Sequence, residues 1–167
     1  GSVGVVSEEG VGSTFAIALP KAAPDPDGSD ARRPGEAEAG ARDPDGRAVL
    51  YIEDNPANMS LVASILRRLD GVRLIAADRG LSGIEAANAS LPALILIDIS
   101  LPDIDGFEVL ARLRQNPRLD RAKIVAVSAN AMQSDIERGK RLGFDDYITK
   151  PIDIGNFLRD VAKFLDA

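Results

Sequence analysis

Residues 93–110 read ALILIDISLPDIDGFEVL, and the fold turns on this stretch. Its first five residues are apolar without alternation, the pattern of a parallel strand covered by helices on both faces. Asp98 follows at once. A carboxylate behind a buried apolar run costs free energy unless it is paired, so Asp98 requires a partner. Pro102 and Gly106 punctuate the loop beyond it, which marks Asp103 and Asp105 as turn or helix-cap residues rather than ligands.

Outward from this segment, short apolar runs alternate with helical patterns. AVLYI (48–52), VRLIA (72–76), KIVAV (123–127) and DYIT (146–149) read as further strands. Asn55 and Pro56 suit the cap and first position of a helix whose Val62, Ile65, Leu66 and Leu69 share one face. Near the end, Ile154, Phe157, Leu158, Val161 and Leu165 recur at helical spacing. Five strands alternating with five helices predict an α/β fold, a doubly wound five-stranded parallel sheet. Right-handed crossovers then place functional groups at the carboxyl ends of the strands.

Composition narrows the chemistry available. The chain has 167 residues, no cysteine and no histidine. Disulfides, thiolate metal sites and histidine proton shuttles are excluded, so a metal must take oxygen ligands, as Mg²⁺, Mn²⁺ or Ca²⁺ do. The net charge of −6 argues against a nucleic-acid partner. No apolar run is long enough to span a bilayer and no signal-peptide pattern is present, so the expected location is cytoplasmic, with no membrane contact. Residues 21–46 contain no Val, Ile, Leu, Met or aromatic residue. Such a stretch cannot offset its ordering entropy and is expected to be a disordered linker. The predicted organisation is a small apolar segment over 1–20, the linker over 21–46, and a domain over 47–167.

The polar residues at the predicted strand ends carry the function. Glu53 and Asp54 follow the first strand, Asp98 closes the third, Ser128 closes the fourth, and Lys150 follows the fifth. Alone, an acidic pair is usually solvated, a serine is usually a turn or cap, and a lysine is usually a surface charge. Their joint placement changes the reading. Three carboxylates on one rim repel unless a hard cation sits among them, and that cation also neutralises phosphoryl oxygens. The lysine adds a fixed charge, the serine a hydrogen bond, and the aspartate a nucleophile toward phosphorus.

The motifs YIEDNPAN, LILIDISLPDIDGFEVL, IVAVSANA and DDYITKPID resemble those of response-regulator receiver domains over residues 48–167. The resemblance implies a flavodoxin-like strand order 2-1-3-4-5 and a phosphoryl group accepted onto Asp98 from a phosphohistidine donor. It implies Mg²⁺, with Mn²⁺ possible, held by Asp54, Asp98 and the backbone carbonyl of Ser100, with Glu53 acting mainly through water. Ser128 would be the switch hydroxyl, Tyr147 the switch aromatic, and Lys150 the phosphate-contacting lysine before a cis Pro151. Ser100 and Asn130 would tune dephosphorylation. Phosphorylation would draw Ser128 inward and let Tyr147 rotate from exposed to buried, altering the surface of the fourth helix, fifth strand and fifth helix. That surface is also the expected face of a homodimer. The implied partners are a histidine kinase or a histidine phosphotransfer protein.

GVVSEEGVGSTFAIALP (4–20) is similar to the closing strands of the ATP-binding domain of sensor histidine kinases. That similarity implies the C-terminal piece of a hybrid histidine kinase. Gly10 and Gly12 are not a phosphate loop, because no strand–loop–helix unit surrounds them. With no histidine and no asparagine or glycine box, this stretch is not a kinase by itself, and the chain reads as a phosphoacceptor rather than an enzyme. The alternative function is a haloacid-dehalogenase-type phosphatase, which also uses an aspartyl nucleophile and Mg²⁺. Those enzymes usually carry a second aspartate two residues on, where this chain has Ser100.

Overall fold

The computed structural model describes residues 2–8, 12–18, 47–129 and 133–166, with the side chains of 47–129 and 136–166. The expected linker over 21–46 and the Asn130 position lie outside the described residues. The chain forms two units. The first contains an antiparallel hairpin of β1 (Ser2–Glu8) and β2 (Gly12–Ala18), in register from Ser2 opposite Ala18 to Glu8 opposite Gly12.

The second unit is the α/β domain. Its elements run β3 (Ala48–Ile52), α1 (Pro56–Leu66), β4 (Arg73–Ala77), α2 (Gly80–Ser90), β5 (Leu94–Asp98) and α3 (Gly106–Leu113). A 3₁₀ turn (Pro117–Leu119), β6 (Lys123–Ser128), α4 (Gln133–Leu142), β7 (Asp146–Thr149) and α5 (Ile154–Leu165) follow. All neighbouring strands are parallel, in the order β4-β3-β5-β6-β7. Counted within the domain this is 2-1-3-4-5, the expected order.

The strands alternate between two apolar layers, because successive side chains point to opposite sheet faces. Leu50, Ile52, Ile95, Ile97, Ile124 and Ala126 pack with α2 and α3 residues such as Ala87, Val109 and Leu113. Val49, Tyr51, Leu94, Leu96, Val125 and Val127 pack with Val62, Ile65, Phe157 and Val161 of α1 and α5. Burial of each large aliphatic side chain is worth about 1.5–3 kcal/mol, and β3 and β5 are buried along their whole length. Coverage of both faces is therefore the reason ALILI lacks alternation.

Several boundaries differ from the sequence reading. β4 begins at Arg73 rather than Val72, and β5 and β6 extend to include Asp98 and Ser128 themselves. Ladder hydrogen bonds continue past the apolar run, since Ile99 N donates to Val127 O at 3.3 Å. α1 ends at Leu66, and Leu69 reaches the same core layer from the turn beyond it. Ile154 opens α5 but is 39% exposed, leaving Phe157 and Val161 as the buried face. Asn55 caps α1 as expected, accepting from Ala57 N and Asn58 N. The Lys150–Pro151 bond is cis, as the family resemblance implied. Among the described residues no helix is long and apolar enough to cross a membrane.

Gly106 shows how tightly the sheet end is closed. A Cβ there would lie 2.8 Å from the Asp98 carbonyl oxygen and 2.9 Å from Ile99 Cα, both backbone atoms that cannot swing aside. Gly106→Ala is expected to cost about 1–3 kcal/mol of stability, as overpacking does. Urea unfolding measures it, and an unchanged midpoint would show that α3 does not abut β5 as described.

Candidate functional site

Parallel pairing brings the strand ends to one rim: Ile52 lies beside Ile97 and Ala77, Asp98 beside Val127, and Ser128 beside Thr149. The residues that follow or close these strands are therefore neighbours. Glu53 is 2% exposed and Asp98 6%, unusual burial for carboxylates. One ammonium serves both. Lys150 Nζ lies 2.8 Å from Glu53 Oε2 and 2.8 Å from Asp98 Oδ2.

Glu53 is held on every side. Its Oε2 also accepts from the Tyr51 hydroxyl at 2.5 Å, while Oε1 accepts from Asn55 N at 3.2 Å and Asn58 Nδ2 at 3.1 Å. Burial works to raise its pKa, but Lys150, Tyr51 and Asn58 outweigh it and hold the carboxyl below its ordinary value. Glu53 is thus an ionised anchor that fixes Lys150. Tyr51 is pushed upward by burial and by its bond to Glu53, so it stays a neutral donor.

Asp98 is less fully satisfied. Its Oδ2 takes Lys150, and its Oδ1 accepts from Ser100 N at 3.2 Å. Burial, with the Glu53 charge, pushes its carboxyl up against the pull of Lys150 and Ser100. Burial also opposes the charge on Lys150, but the two carboxylates prevail and raise its pKa above 10.5. The result is a nearly dry carboxylate beside a fixed cation, the environment in which an aspartate can act as a nucleophile.

The acidic residues fit a hard divalent cation. Glu53, Asp54 and Asp98 each offer an oxygen, all within 4.8 Å of one another. Three carboxylates against one ammonium leave two negative charges when all are ionised, which a divalent ion balances. Asp54 is exposed and so open to solvent and ion, whereas the Glu53 oxygens already have protein donors. Ser128 ends β6 beside Thr149, is 9% exposed, and its carbonyl accepts from Lys150 N at 2.9 Å.

Tyr147 lies on β7 in a wall of aromatic rings. Phe107 of α3 stands 5.8 Å from Phe144, and Phe144 5.5 Å from Tyr147, both edge to face. Arg138 of α4 covers Phe107 at 4.7 Å. The Tyr147 ring is half-buried and its hydroxyl is out of solvent, so the exposed starting position expected from sequence is not the one adopted. The seat is Gly139 of α4, where a Cβ would stand 2.1 Å from the hydroxyl. Arg114 closes the neighbouring corner, bonding Gly143 O at 2.8 Å, Ala122 O at 3.3 Å and Asp145 Oδ2 at 2.7 Å.

Asp103 and Asp105 are caps, as the loop punctuation implied. Asp105 caps its own helix α3, accepting from Glu108 N at 2.8 Å. Asp103 caps a different one: its Oδ1 and Oδ2 accept from Gly80 N at 2.8 Å and Leu81 N at 2.9 Å, at the start of α2. Bonds from these backbone donors hold its carboxyl down at about 2. Sequence reasoning missed this long-range cap, the Tyr51–Glu53–Asn58 anchor and the Gly139 seat. The single tyrosine in the aliphatic strand AVLYI was the available signal, since a buried tyrosine hydroxyl needs a partner.

Comparisons with known proteins identify the family. The family described as the response regulator receiver domain matches residues 49–162. The polar-differentiation response regulator DivK of Brucella anthropi is 34% identical over 119 residues, 71% of this chain and 96% of that protein. The receiver domain of the sensor histidine kinase PA1611 from Pseudomonas aeruginosa PAO1, crystallised with a magnesium ion in its active site cleft, is 30% identical. It superposes with a TM-score of 0.67 over 73% of this chain and 99% of that one. The Mn²⁺-bound response regulator Rcp1 is also 30% identical, with a TM-score of 0.60 over 70% of this chain and 90% of its own.

Two outcomes are expected from this geometry. The Asp103 carboxyl should titrate near 2 rather than 3.8 in a side-chain NMR titration. Because its pKa is lowered on folding, its stabilisation is present above 3.8 and is lost as pH falls through about 2. A midpoint at the ordinary value would contradict the cap. Gly139→Ala should expel the Tyr147 ring, even though alanine favours a helix by about 0.5–1 kcal/mol. Tyr51, the other tyrosine, is fully buried, so acrylamide quenching of tyrosine fluorescence reads Tyr147. Quenching should rise, and unchanged quenching would contradict the seat.

Proposed function

This chain belongs to the response regulator receiver domain family, and from that premise we propose how its own residues carry the phosphoacceptor role. The domain accepts a phosphoryl group in two-component signalling, and Asp98 is the acceptor. The observation that carries this assignment is the buried Asp98 carboxylate sharing one ammonium with Glu53, with Asp54 completing the acidic cluster.

An Asp98 oxygen attacks the phosphorus of a phosphohistidine donor. The P–O bond forms as the P–N bond breaks, and the electron pair returns to the imidazole, which takes up a proton. Lys150 steadies the carboxylate before transfer and pairs with phosphoryl oxygens afterwards. Asp54, Asp98 and the Ser100 carbonyl would hold Mg²⁺ or Mn²⁺, with Glu53 acting mainly through water. Bound there, the ion supplies charge neutralisation for the phosphoryl oxygens. Ser128 offers its hydroxyl to the new phosphate, and Tyr147 carries the response toward α4, β7 and α5. A haloacid-dehalogenase-type phosphatase is set aside by the family match, and Ser100 stands where its second aspartate would be.

The broader setting is part of the same proposal. The donor is a histidine kinase or a histidine phosphotransfer protein, and the module works in the cytoplasm. The sequence similarity of residues 4–20 to the closing strands of a kinase ATP-binding domain supports a hybrid histidine kinase as the parent protein. The α4–β7–α5 face serves for homodimer contact.

Beryllofluoride with Mg²⁺ mimics the phosphoryl group and tests the assignment by NMR. Amide shifts should run from Asp54 and Asp98 through Ser128 to Tyr147 in the wild type and vanish in Asp98→Asn. Ser128→Ala should keep the shifts around Asp98 and weaken those at Tyr147. A full response in Asp98→Asn would overturn the acceptor assignment.

A further inference from the structure

The loop between β5 and α3 is tethered at three points. Ser100 N binds the Asp98 carboxylate at 3.2 Å, Gly106 N binds Ile99 O at 3.0 Å, and Asp103 binds the start of α2 through both carboxylate oxygens. The third tether is the long-range one, joining residues 22 and 23 positions apart. α2 has no cap of its own. Arg79 occupies the cap position with extended backbone, φ −145° and ψ 153°, and its side chain makes no capping bond. The loop therefore supplies the group that the helix lacks.

Packing reinforces the tether. Gly80 has no side chain because Ile104 of the loop lies against it: a Cβ there would stand 2.5 Å from Ile104 Cγ1. Farther along the helix, Gly83 is pressed against Ile52, the residue before Glu53, with a Cβ position 2.3 Å from Ile52 Cδ1. α2 is thus seated on the strand that carries the acidic pair, and Asp103 hangs the loop of Ser100 from that helix. Asp103 itself is not in the three-carboxylate cluster found among the described residues.

We propose that Asp103 is a positioning residue for the cation and phosphoryl site, setting where the Ser100 backbone stands relative to Asp54 and Asp98. The inference rests on the acceptor reading above. A cap that served only α2 would matter to stability alone. A cap that also aims the loop matters to the site, because outer partners that orient ligands typically govern affinity by tenfold or more.

A local cap separates the two roles. Asp103→Ala removes both acceptors, and adding Arg79→Asp returns a carboxylate to the cap position of α2 without retethering the loop. Mg²⁺ affinity is read from amide shifts of residues 98–101, and stability from urea unfolding. The double variant should regain most of the stability lost in Asp103→Ala, while both variants bind Mg²⁺ about tenfold more weakly than wild type. Wild-type affinity in either variant overturns the inference, and so does affinity that recovers in step with stability. If Asp103→Ala is too unstable to titrate, Asp103→Asn, which keeps one acceptor oxygen, is expected to lose affinity and is judged by the same criteria. Failure of the wild-type protein to bind Mg²⁺ at Asp54 and Asp98 would instead sink the underlying acceptor reading, a distinct outcome.

Discussion

One ammonium shared by two buried carboxylates governs this structure. Lys150 meets Glu53 and Asp98 at 2.8 Å each, and its charge offsets the cost of burying both carboxylates. The arrangement is possible because a parallel sheet delivers every strand's carboxyl end to the same rim. The apolar layers on both faces have a double role, stabilising the domain and drying the site. Removing one member of such a buried set typically costs 3–5 kcal/mol, because the others are left uncompensated.

The two carboxylates then divide the work. Glu53 has a donor for each oxygen twice over, from Tyr51, Lys150, Asn55 and Asn58, and is locked in its ionised form. Asp98 has only Lys150 and the Ser100 amide as hydrogen-bond donors among those described, and is the less comfortable anion. Reactivity belongs with the second and rigidity with the first. Farther out, the Phe107–Phe144–Tyr147 rings and the Arg114 bonds tie α3 to the loop before β7. A movement of the Tyr147 ring therefore meets packed neighbours.

Much of this was legible in the sequence, for physical reasons. Unbroken apolar runs report two-sided burial, so ALILI disclosed its strand and the parallel sheet. Strand-end polar residues follow from the topology, so Glu53, Asp98, Ser128 and Lys150 could be placed on one rim before any coordinates. Local caps were legible too: Asn55 and Asp105 bond amides two or three residues away. Long-range satisfaction was not. Asp103 reads as a turn residue because its partners, Gly80 and Leu81, are remote in sequence. Gly139 carried no signal in the sequence, since nothing local discloses the ring seated against it. The one-residue extensions of β5 and β6 to Asp98 and Ser128 arose where ladder hydrogen bonds outlast the apolar pattern.

The central claim is that the carboxylate paired with Lys150 is the one that takes the phosphoryl group. Incubation with a small phosphodonor such as acetyl phosphate and Mg²⁺, followed by borohydride reduction, converts an aspartyl phosphate to homoserine at its own position. Peptide mass spectrometry should find that conversion at Asp98, and at none of Glu53, Asp54, Asp103 or Asp105. Conversion at another carboxylate, with Asp98 intact, would contradict the account.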